Sequence, residues 1–442
     1  MSGSVSNGDV VALFKTVYGD MHDLVPDGQP LSRDISWSEG DRVGDVFKED
    51  VVLGDEVGIT LGGSGQEAFE INPAIAGAVK QTSVTPYVSL LPSVLPFATI
   101  SRSMGDEQAF MKATKFITKN NLGSHERFLE TFRLYGQSAK ELGYQSYYSG
   151  TYRSQSFTNG NGVLNGVTFV GGASAAGKAI LLAPGMFASG IWVGRKGVKV
   201  KQLDSTGSVV AAGKLVNVQS RFGYIVVDFV PVAATAVTGS GSLRMCFDGM
   251  QTTGEMIGIH KILSTQGDLF GINNNTFELF RGNTVDLLGA SRLSLGVLQD
   301  AIANAVNGGG LDGDVTCYVN PLSWASLGTT EAGLRVYDQS YKPSEAMNGF
   351  ANIEYYSQNG KLTIKAHRMV MEGDALVLKL DTWKRSGSAQ PGFKVPGIEQ
   401  DLIKPLENQA GFQFKSYSDE YVFTPMPAQN LLITGINTEA AA

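Results

Sequence analysis

Apolar positions change period along this chain, and the changes divide it into parts. In GITLGGSGQEAFEINPAIAG (58–77), Val57, Ile59 and Leu61 alternate with smaller or polar residues on the way out. Gly62-Gly63-Ser64-Gly65 then supplies a run in which positive φ costs little, and Phe69 and Ile71 resume the alternation on the way back. This pattern predicts a two-stranded ribbon at about 50–80 closed by a glycine turn. An isolated hairpin is only marginally stable in water, so another surface is expected to cover Ile59, Leu61, Phe69 and Ile71.

Residues 1–50 are polar and irregular apart from one short amphipathic turn (Val10, Val11, Leu13, Phe14, Val17). With Pro26 and Pro30 they read as an extended arm that lies on something else. In PYVSLLPSVLPFATISRS, Pro86, Pro92 and Pro96 exclude one continuous helix. From about 105 to 142 the period becomes helical, with Phe110, Ala113 and Ile117 on one stripe that Phe128, Leu129 and Phe132 continue. Ser103 and Asp106 give a start signal, Gly123 is expected to bend or interrupt the helix, and Gly143 to end it. A long helix with one apolar face lies across a sheet as a spine.

Residues 160–250 are rich in Gly, Val and Thr, with turn clusters DSTGS and TGSGS and the strand-like runs GVKVKQLD and GYIVVDFV. They are expected to form a separate β-rich unit inserted into the main fold. A mixed α/β region follows. LSLGVLQDAIANAVNGGG (293–310) is an amphipathic helix through Leu295, Leu298, Ile302 and Val306, stopped by glycines. DVTCYVN is a buried-type strand, and Pro321 opens another short helix. KLTIKAH and ALVLKLDTW read as strands, and GFQFKSYSDEYVFTPM (411–426) as a hairpin of alternating aromatics.

Composition narrows the class. A length of 442 residues suggests two to four compact units at roughly 100–200 residues each. Apolar residues at 43% and charged residues at 17% suit a globular chain and exclude a disordered one. The 54 glycines show no Gly-X-Y period and signify turns. A net charge of −7 argues against an extensive basic surface wrapped by nucleic acid, but leaves room for a shell that encloses it. Cys246 and Cys317 are expected to be reduced and buried. Residues 1–20 hold no secretory signal and no stretch reaches the ~20 apolar residues of a membrane span, so synthesis in the cytosol is expected.

Candidate chemistry is sparse. GGASAAGKA places Gly172, Gly177 and Lys178 at the spacing of a phosphate-binding loop, but Ala179 lacks the Mg²⁺-holding hydroxyl and Pro184 truncates the helix that should follow. A turn explains it better. His22, His125, His260 and His367 have no metal-type spacing and are expected at the surface or an interface. Asn274 opens a glycosylation sequon expected to be inert, and the carboxylates around Asp312 and Asp314 read as solvated turns. No nucleophile, base and oxyanion site assemble, so no catalytic, cofactor-binding or metal residue is assigned and no enzyme is expected.

The order of parts carries the stronger signal. Five stretches occur in sequence: GDEVGITLGGSGQEAFEINPAIAGAVKQTSV, DEQAFMKATKFIT…HERFLETFRLYGQ, GDLFGINNNTFELFRGNTVD, VTCYVNPLSWASL and AGFQFKSYSDEYVFTPMPAQNLLITGI. Together they resemble the major capsid proteins of tailed bacteriophages, which have the Hong Kong 97-type fold. The resemblance implies an α+β chain. Its parts would be an N-terminal arm (1–49), an extended loop and return (50–100), a spine helix (101–160), the β-rich insertion (161–250), an axial-type α/β domain (251–365) and return strands (366–442).

It further implies a shell protein of the virion that forms hexamers and pentamers and encloses double-stranded DNA without reading its sequence. Scaffolding, portal and decoration proteins are the implied partners, and no membrane is. In such a shell the ribbon would lie across a neighbouring subunit, making Ile59, Leu61, Gly62, Gly63, Gly65, Phe69 and Ile71 intersubunit contacts. The insertion is expected on the outer face, where packaged DNA leaves room. An arm that begins almost at Met1 leaves no space for a large cleavable segment, so a separate scaffolding protein or none is expected. Lys80, near the ribbon base, is assigned to solvent rather than to a covalent cross-link. Two other classes are weighed. An encapsulin-type shell shares the fold, and the insertion and long arm favour the virus. A tail-tube or decoration protein would lack the long helix.

Overall fold

Two hydrophobic cores lie on the two faces of one six-stranded mixed sheet. In the computed structural model this sheet runs Asn283–Asp286, Leu431–Thr434, Ala375–Leu378, Val315–Val319, Gly360–Ala366, Ile353–Ser357. The structure describes residues 30–437 except at interruptions, the longest being 63–69, 97–106, 170–177, 232–242, 335–352 and 394–402. Alternation within the central strands sends Tyr318, Leu376, Leu378 and Leu432 into the larger core. Val315, Cys317, Val319, Val377 and Ile433 enter the smaller one, beneath the helix Leu295–Gly309. Burial on both faces explains why VTCYV reads as a continuous apolar run. That helix follows its predicted pattern, with Ser294 capping Val297 N and Gly310 closing it in the left-handed conformation.

The spine helix Glu107–Tyr135 is 29 residues long, about 43 Å at the α-helical rise. It runs straight through Gly123, where a Cβ would meet nothing within 4 Å, so the expected interruption does not occur. It also ends earlier than Gly143. A Cβ on Gly136 would lie 2.0 Å from Met256 O, and Gly258 N donates to Gly136 O at 2.9 Å. Backbone-to-backbone packing against the start of the helix Ile259–Ser264 thus fixes the end of the spine. Ser103 and Asp106 lie outside the described residues, as do the side chains of Phe110, Ala113 and Ile117.

GFQFKSYSDEYVF is one strand, Gly411–Phe423, and not the expected hairpin. Tyr87–Pro96 pairs along one side of it, and Lys384–Gly392 and Ile403–Pro405 along the other. Only Ile403–Pro405 is its neighbour in the chain; Tyr87–Pro96 comes from more than three hundred residues away, which aromatic alternation cannot reveal. Tyr87–Pro96 has no other partner strand among the described residues, so an edge position accommodates Pro92 and Pro96, which lack an N–H.

The β-rich region forms a nine-stranded sheet from Gly150 to Phe247, beginning earlier than expected. It does not have a core of its own. Trp192, Val200, Leu215, Ile225, Phe229 and Phe247 join the cluster that holds Leu134 and Tyr135 of the spine and Leu376 of the central sheet. Phe128 of the spine meets Phe247 edge-on at 5.5 Å. This sheet therefore shares its apolar cluster with the spine helix, which has apolar surface facing it.

The N-terminal expectation also changes. Residues 1–29, with the turn at Val10–Val17, Pro26 and His22, lie outside the described residues. The next stretch is not an arm resting elsewhere. Pro30–Asp34 is a helical turn whose Leu31 is fully buried, as is Ile35 after it. Leu31 N donates to Glu130 Oε1 at 2.9 Å, and Arg385 Nη2 and Nε donate to Ser32 O (2.7 Å) and Ile35 O (2.9 Å). Lys365 Nζ reaches Asp34 at 2.8 Å.

At the centre of this clamp Arg133, fully buried, donates through Nε to Glu420 at 2.9 Å and through Nη1 to Glu126 at 3.0 Å and Glu130 at 3.4 Å. It also bonds Ser32 Oγ. His367 Nδ1 accepts Met369 N–H at 3.1 Å, so its Nε2 carries the proton donated to Glu130, 3.1 Å away. Burial alone would raise the Glu130 carboxyl; His367, Arg133 and the Leu31 amide outweigh it and hold the group below its ordinary value.

Three of the four histidines are buried within the chain, where they were expected at the surface or an interface. His125 bonds Ser89 Oγ at 2.6 Å and His260 bonds Ser138 Oγ at 2.8 Å. Burial pushes both down to about 4. Burial also pushes Glu255 up to about 8, aided by Glu141 and opposed by the Gln137 N–H, and Glu141 up to about 7 despite Arg244 at 3.3 Å.

Two predictions follow from these buried charges. Arg133→Ala strands Glu130 and Glu420 without their cation, and a loss of about 3–5 kcal/mol is expected in chemical denaturation. Arg133→Met together with Glu420→Leu should lose less than the single alanine variant. For pH, the histidines give stability present above about 6.5 and lost as pH falls toward 4. Glu255 and Glu141 give stability present below about 4.5 and lost as pH rises through 7 and 8. Between pH 6.5 and 8 only the carboxyls of this set act, so the denaturation midpoint should fall there, and Glu255→Gln should flatten that decline.

Candidate intersubunit surface

The ribbon grows from a well-anchored base. Val46–Gly54 pairs antiparallel with Ala78–Val84, from Phe47 opposite Val84 to Gly54 opposite Ala78. Phe47, Val51, Leu53 and Val84 are buried, and the Phe47 ring lies 5.0 Å from that of Tyr421 on the long strand. Glu49 pairs with Lys384 at 3.1 Å, and Ser83 N donates to Phe270 O at 2.9 Å. Lys80 places its ammonium 4.9 Å from the Phe277 ring centroid of its own chain.

Beyond Gly54 and Ala78 the ladder stops, so the regular pairing expected through Ile59, Leu61 and Ile71 is absent. The two arms stay together through fewer links. Val57 and Ile75 exchange backbone hydrogen bonds of 3.0 and 2.8 Å. Asn72 donates from its backbone to Thr60 Oγ1 at 2.8 Å and from Nδ2 to Ile59 O at 2.9 Å. Gly58, at φ +131°, lets the chain cross itself: a Cβ there would lie 2.7 Å from Pro73 O.

The apolar side chains face outward. Ile59 is 81% exposed, Leu61 85% and Ile71 79%, while Gly63, Gly65 and Phe69 lie outside the described residues and Gly62 is exposed. The structure adds Val52, Val57, Ile75 and Val79, all more than half exposed. Their signal was the alternation continuing into the base, where Val52 stands between buried Val51 and Leu53. Residues 55–77 also carry Asp55, Glu56, Glu67 and Glu70 and no lysine or arginine. The described part of the ribbon beyond its base is thus an exposed apolar surface in an acidic segment, a form suited to contact with another molecule.

The remaining candidates from the sequence lead away from chemistry. Lys178 opens the strand Lys178–Leu181 with no helix after it, and 171–177 lie outside the described residues. Asn274 is fully buried, its Oδ1 accepting from Gly267 N at 2.7 Å and its Nδ2 donating to Thr265 O at 2.8 Å, which closes it to modification. Cys246 and Cys317 are both buried, and burial pushes their thiols up to about 12. Among the described residues no group of three or more His, Cys, Asp or Glu could hold a metal ion, and no helix is long and apolar enough to cross a membrane.

Gly58→Val should part the ribbon arms locally. Faster amide exchange at Val57 and Ile75, with unchanged protection at 47–53 and an unchanged melting temperature, is the expected result.

No family model matches this chain, and no curated protein does. Solved structures do. The cyanophage A-1(L) capsid asymmetric unit is 9% identical, covers 96% of this chain and 96% of its own, and superposes with a TM-score of 0.52. The capsid of an empty GTA particle is 8% identical over 95% of this chain and 94% of its own, at a TM-score of 0.44. The holo-SrpI encapsulin complex from Synechococcus elongatus PCC 7942 is 7% identical over 98% and 97%, at 0.43. At such identities the likeness is one of fold, carried here by the first of the three. A spine helix, an extended ribbon, a mixed central sheet and a long returning strand, matched over nearly the whole length, give this chain the Hong Kong 97-type capsid fold.

Proposed function

We propose that this chain is the major capsid protein of a tailed phage, self-assembling into the hexamers and pentamers of an icosahedral head around packaged double-stranded DNA. The observation that carries the reading is the pairing of a capsid fold matched from end to end with an apolar ribbon that its own chain leaves bare. Burying such side chains stabilises by about 25 cal/mol per Å² of apolar area, which the isolated subunit forgoes at the tip. Ile59, Leu61, Gly62, Gly63, Gly65, Phe69 and Ile71 are the contacts assigned to a neighbouring subunit. The acidic balance supports enclosure of DNA without tight binding, since a cationic wall would hold the genome through counterion release. The nine-stranded sheet is assigned to the outer face, and portal and decoration proteins, with a separate scaffolding protein or none, are the partners assigned to such a head.

Deleting residues 58–72 should leave the circular dichroism and melting of the subunit unchanged while abolishing shells in electron microscopy. Normal particles from the deletion variant would refute the role of the ribbon. Nuclease-protected DNA of genome length inside native particles supports the phage head; protein cargo in its place would make the shell an encapsulin.

A further inference from the structure

The turn 136–145 clips the end of the spine helix to an edge of the nine-stranded sheet. Leu142 N donates to Met245 O at 3.1 Å, Met245 N to Gly143 O at 2.9 Å and Gln145 N to Leu243 O at 2.7 Å. The strand that receives these bonds, Arg244–Phe247, is the last in the sheet order. Two residues of the turn other than glycine lie in the left-handed region, Gln137 at φ +52° and Glu141 at φ +44°. Side chains of that size rarely adopt this conformation, and it persists only while the surroundings hold it.

Two buried carboxyls close on this turn. Glu141 Oε1 accepts from Arg244 Nη1 at 3.3 Å, and Glu255 Oε1 accepts the Gln137 N–H at 2.8 Å. The second oxygen of each is shut off from solvent and meets no hydrogen-bond partner among the described residues. Other cations nearby are engaged, Lys140 with Asp374 and Lys201 with Asp248, both at 2.6 Å. His260 bonds Ser138 Oγ, lies 3.9 Å from Asp374 and is pushed by burial down to about 4. Tyr87 reaches the turn through Gln137 Nε2 at 3.2 Å, and burial pushes the Tyr144 hydroxyl up. Arg244 is thus the one cation set against both carboxyls among the described residues.

We propose that the turn 136–145 is a latch worked by charge, which holds the sheet edge to the spine while Glu141 and Glu255 keep a proton between them and lets go locally when both are ionised. Arg244 can balance one carboxylate. A second adds a charge without a cation, repels the first and leaves unsatisfied oxygens in the interior. Water entering beneath the turn relieves all of this and frees Gln137 and Glu141 from the left-handed region. The Arg133 junction uses none of these residues, so the rest of the fold holds while the clip is open. Burial raises Glu141 up to about 7 and Glu255 up to about 8, so the latch is closed at lower pH and opens as pH rises through that range.

The chain carries its own probes. Cys246 is fully buried in the latched strand; burial, and then Glu141 and Glu255, push its thiol up to about 12. Cys317, fully buried in the other core, reports unfolding of the whole chain. Unassembled full-length subunits are treated with iodoacetamide at a series of pH values, and each thiol is followed by mass spectrometry. Every rate is divided by that of the urea-unfolded chain at the same pH, which removes the thiol's own titration.

With 4.5 as the ordinary carboxyl value, the normalised Cys246 rate should rise about a hundredfold between about pH 6.5 and 8.5 while Cys317 stays protected. Glu255→Gln should leave a rise of about fourfold and Glu141→Gln one of about 25-fold, and the double variant should show none. Glutamine has the shape of the protonated acid, so these variants keep the closed form. A wild-type Cys246 rate that ignores pH overturns the latch. Cys317 opening in step with Cys246 also overturns it, because the chain then unfolds as a whole. A full rise in the double variant would assign the opening to other groups and overturn the role of this pair.

Discussion

A buried arginine has to find enough acceptors to replace its water, and Arg133 finds them on segments scattered over the whole sequence. Glu126 and Glu130 come from its own helix, Ser32 from the N-terminal turn and Glu420 from the long returning strand. Through Glu130 the network continues to His367 beside the central sheet, and Arg385 adds the carbonyls of Ser32 and Ile35. The spine helix, the N-terminal turn, the four-stranded sheet and the central sheet therefore share one polar junction. None can move far without leaving a charge in the interior unpaired. The junction fixes geometry more than it adds stability, because apolar residues of the same volume could fill the space at less desolvation cost.

Around that junction the apolar surface is used almost to exhaustion. The six-stranded sheet buries both faces, and the spine helix packs on the long strand Gly411–Phe423 with its neighbours Lys384–Gly392 and Tyr87–Pro96 and, through Phe128, on the nine-stranded sheet. Among the described residues, seven of the fifteen large apolar side chains left exposed lie on the ribbon, between Val52 and Val79. Its base is locked by Phe47 against Tyr421 and by Glu49 against Lys384, so it leaves the body in a defined direction. Beyond that base the described residues of the ribbon are apolar, acidic and sparsely hydrogen-bonded.

Much of this was legible from periodicity. Leu295, Leu298 and Ile302 announced a helix because local spacing and the glycines after it are sufficient to define one. The ribbon's apolar alternation, the long helix and the run VTCYV were likewise local signals, and the order of these parts carried the resemblance to the capsid fold. Local spacing could not say that Gly123 is passed over, since a glycine with open space beside it costs a helix only about 1 kcal/mol, which packing readily offsets.

Pairing and burial of polar groups were decided elsewhere. Nothing within Pro30–Asp34 shows that Leu31 will be fully buried against a helix about a hundred residues away. Nor could spacing show that His125, His260 and His367 are interior, because a histidine becomes a core residue only when hydroxyls or carboxylates from distant segments meet its nitrogens. Gly411–Phe423 read as a hairpin because alternation records which face a side chain takes but not which strand lies beside it. By itself the sequence determined the elements whose formation depends on neighbours within a few turns, together with a ribbon too apolar to stand alone. The tertiary structure decided which strands share hydrogen bonds, where the charges are buried and which carboxylates and carbonyls meet each guanidinium, because those outcomes depend on contacts between residues that chain order keeps far apart.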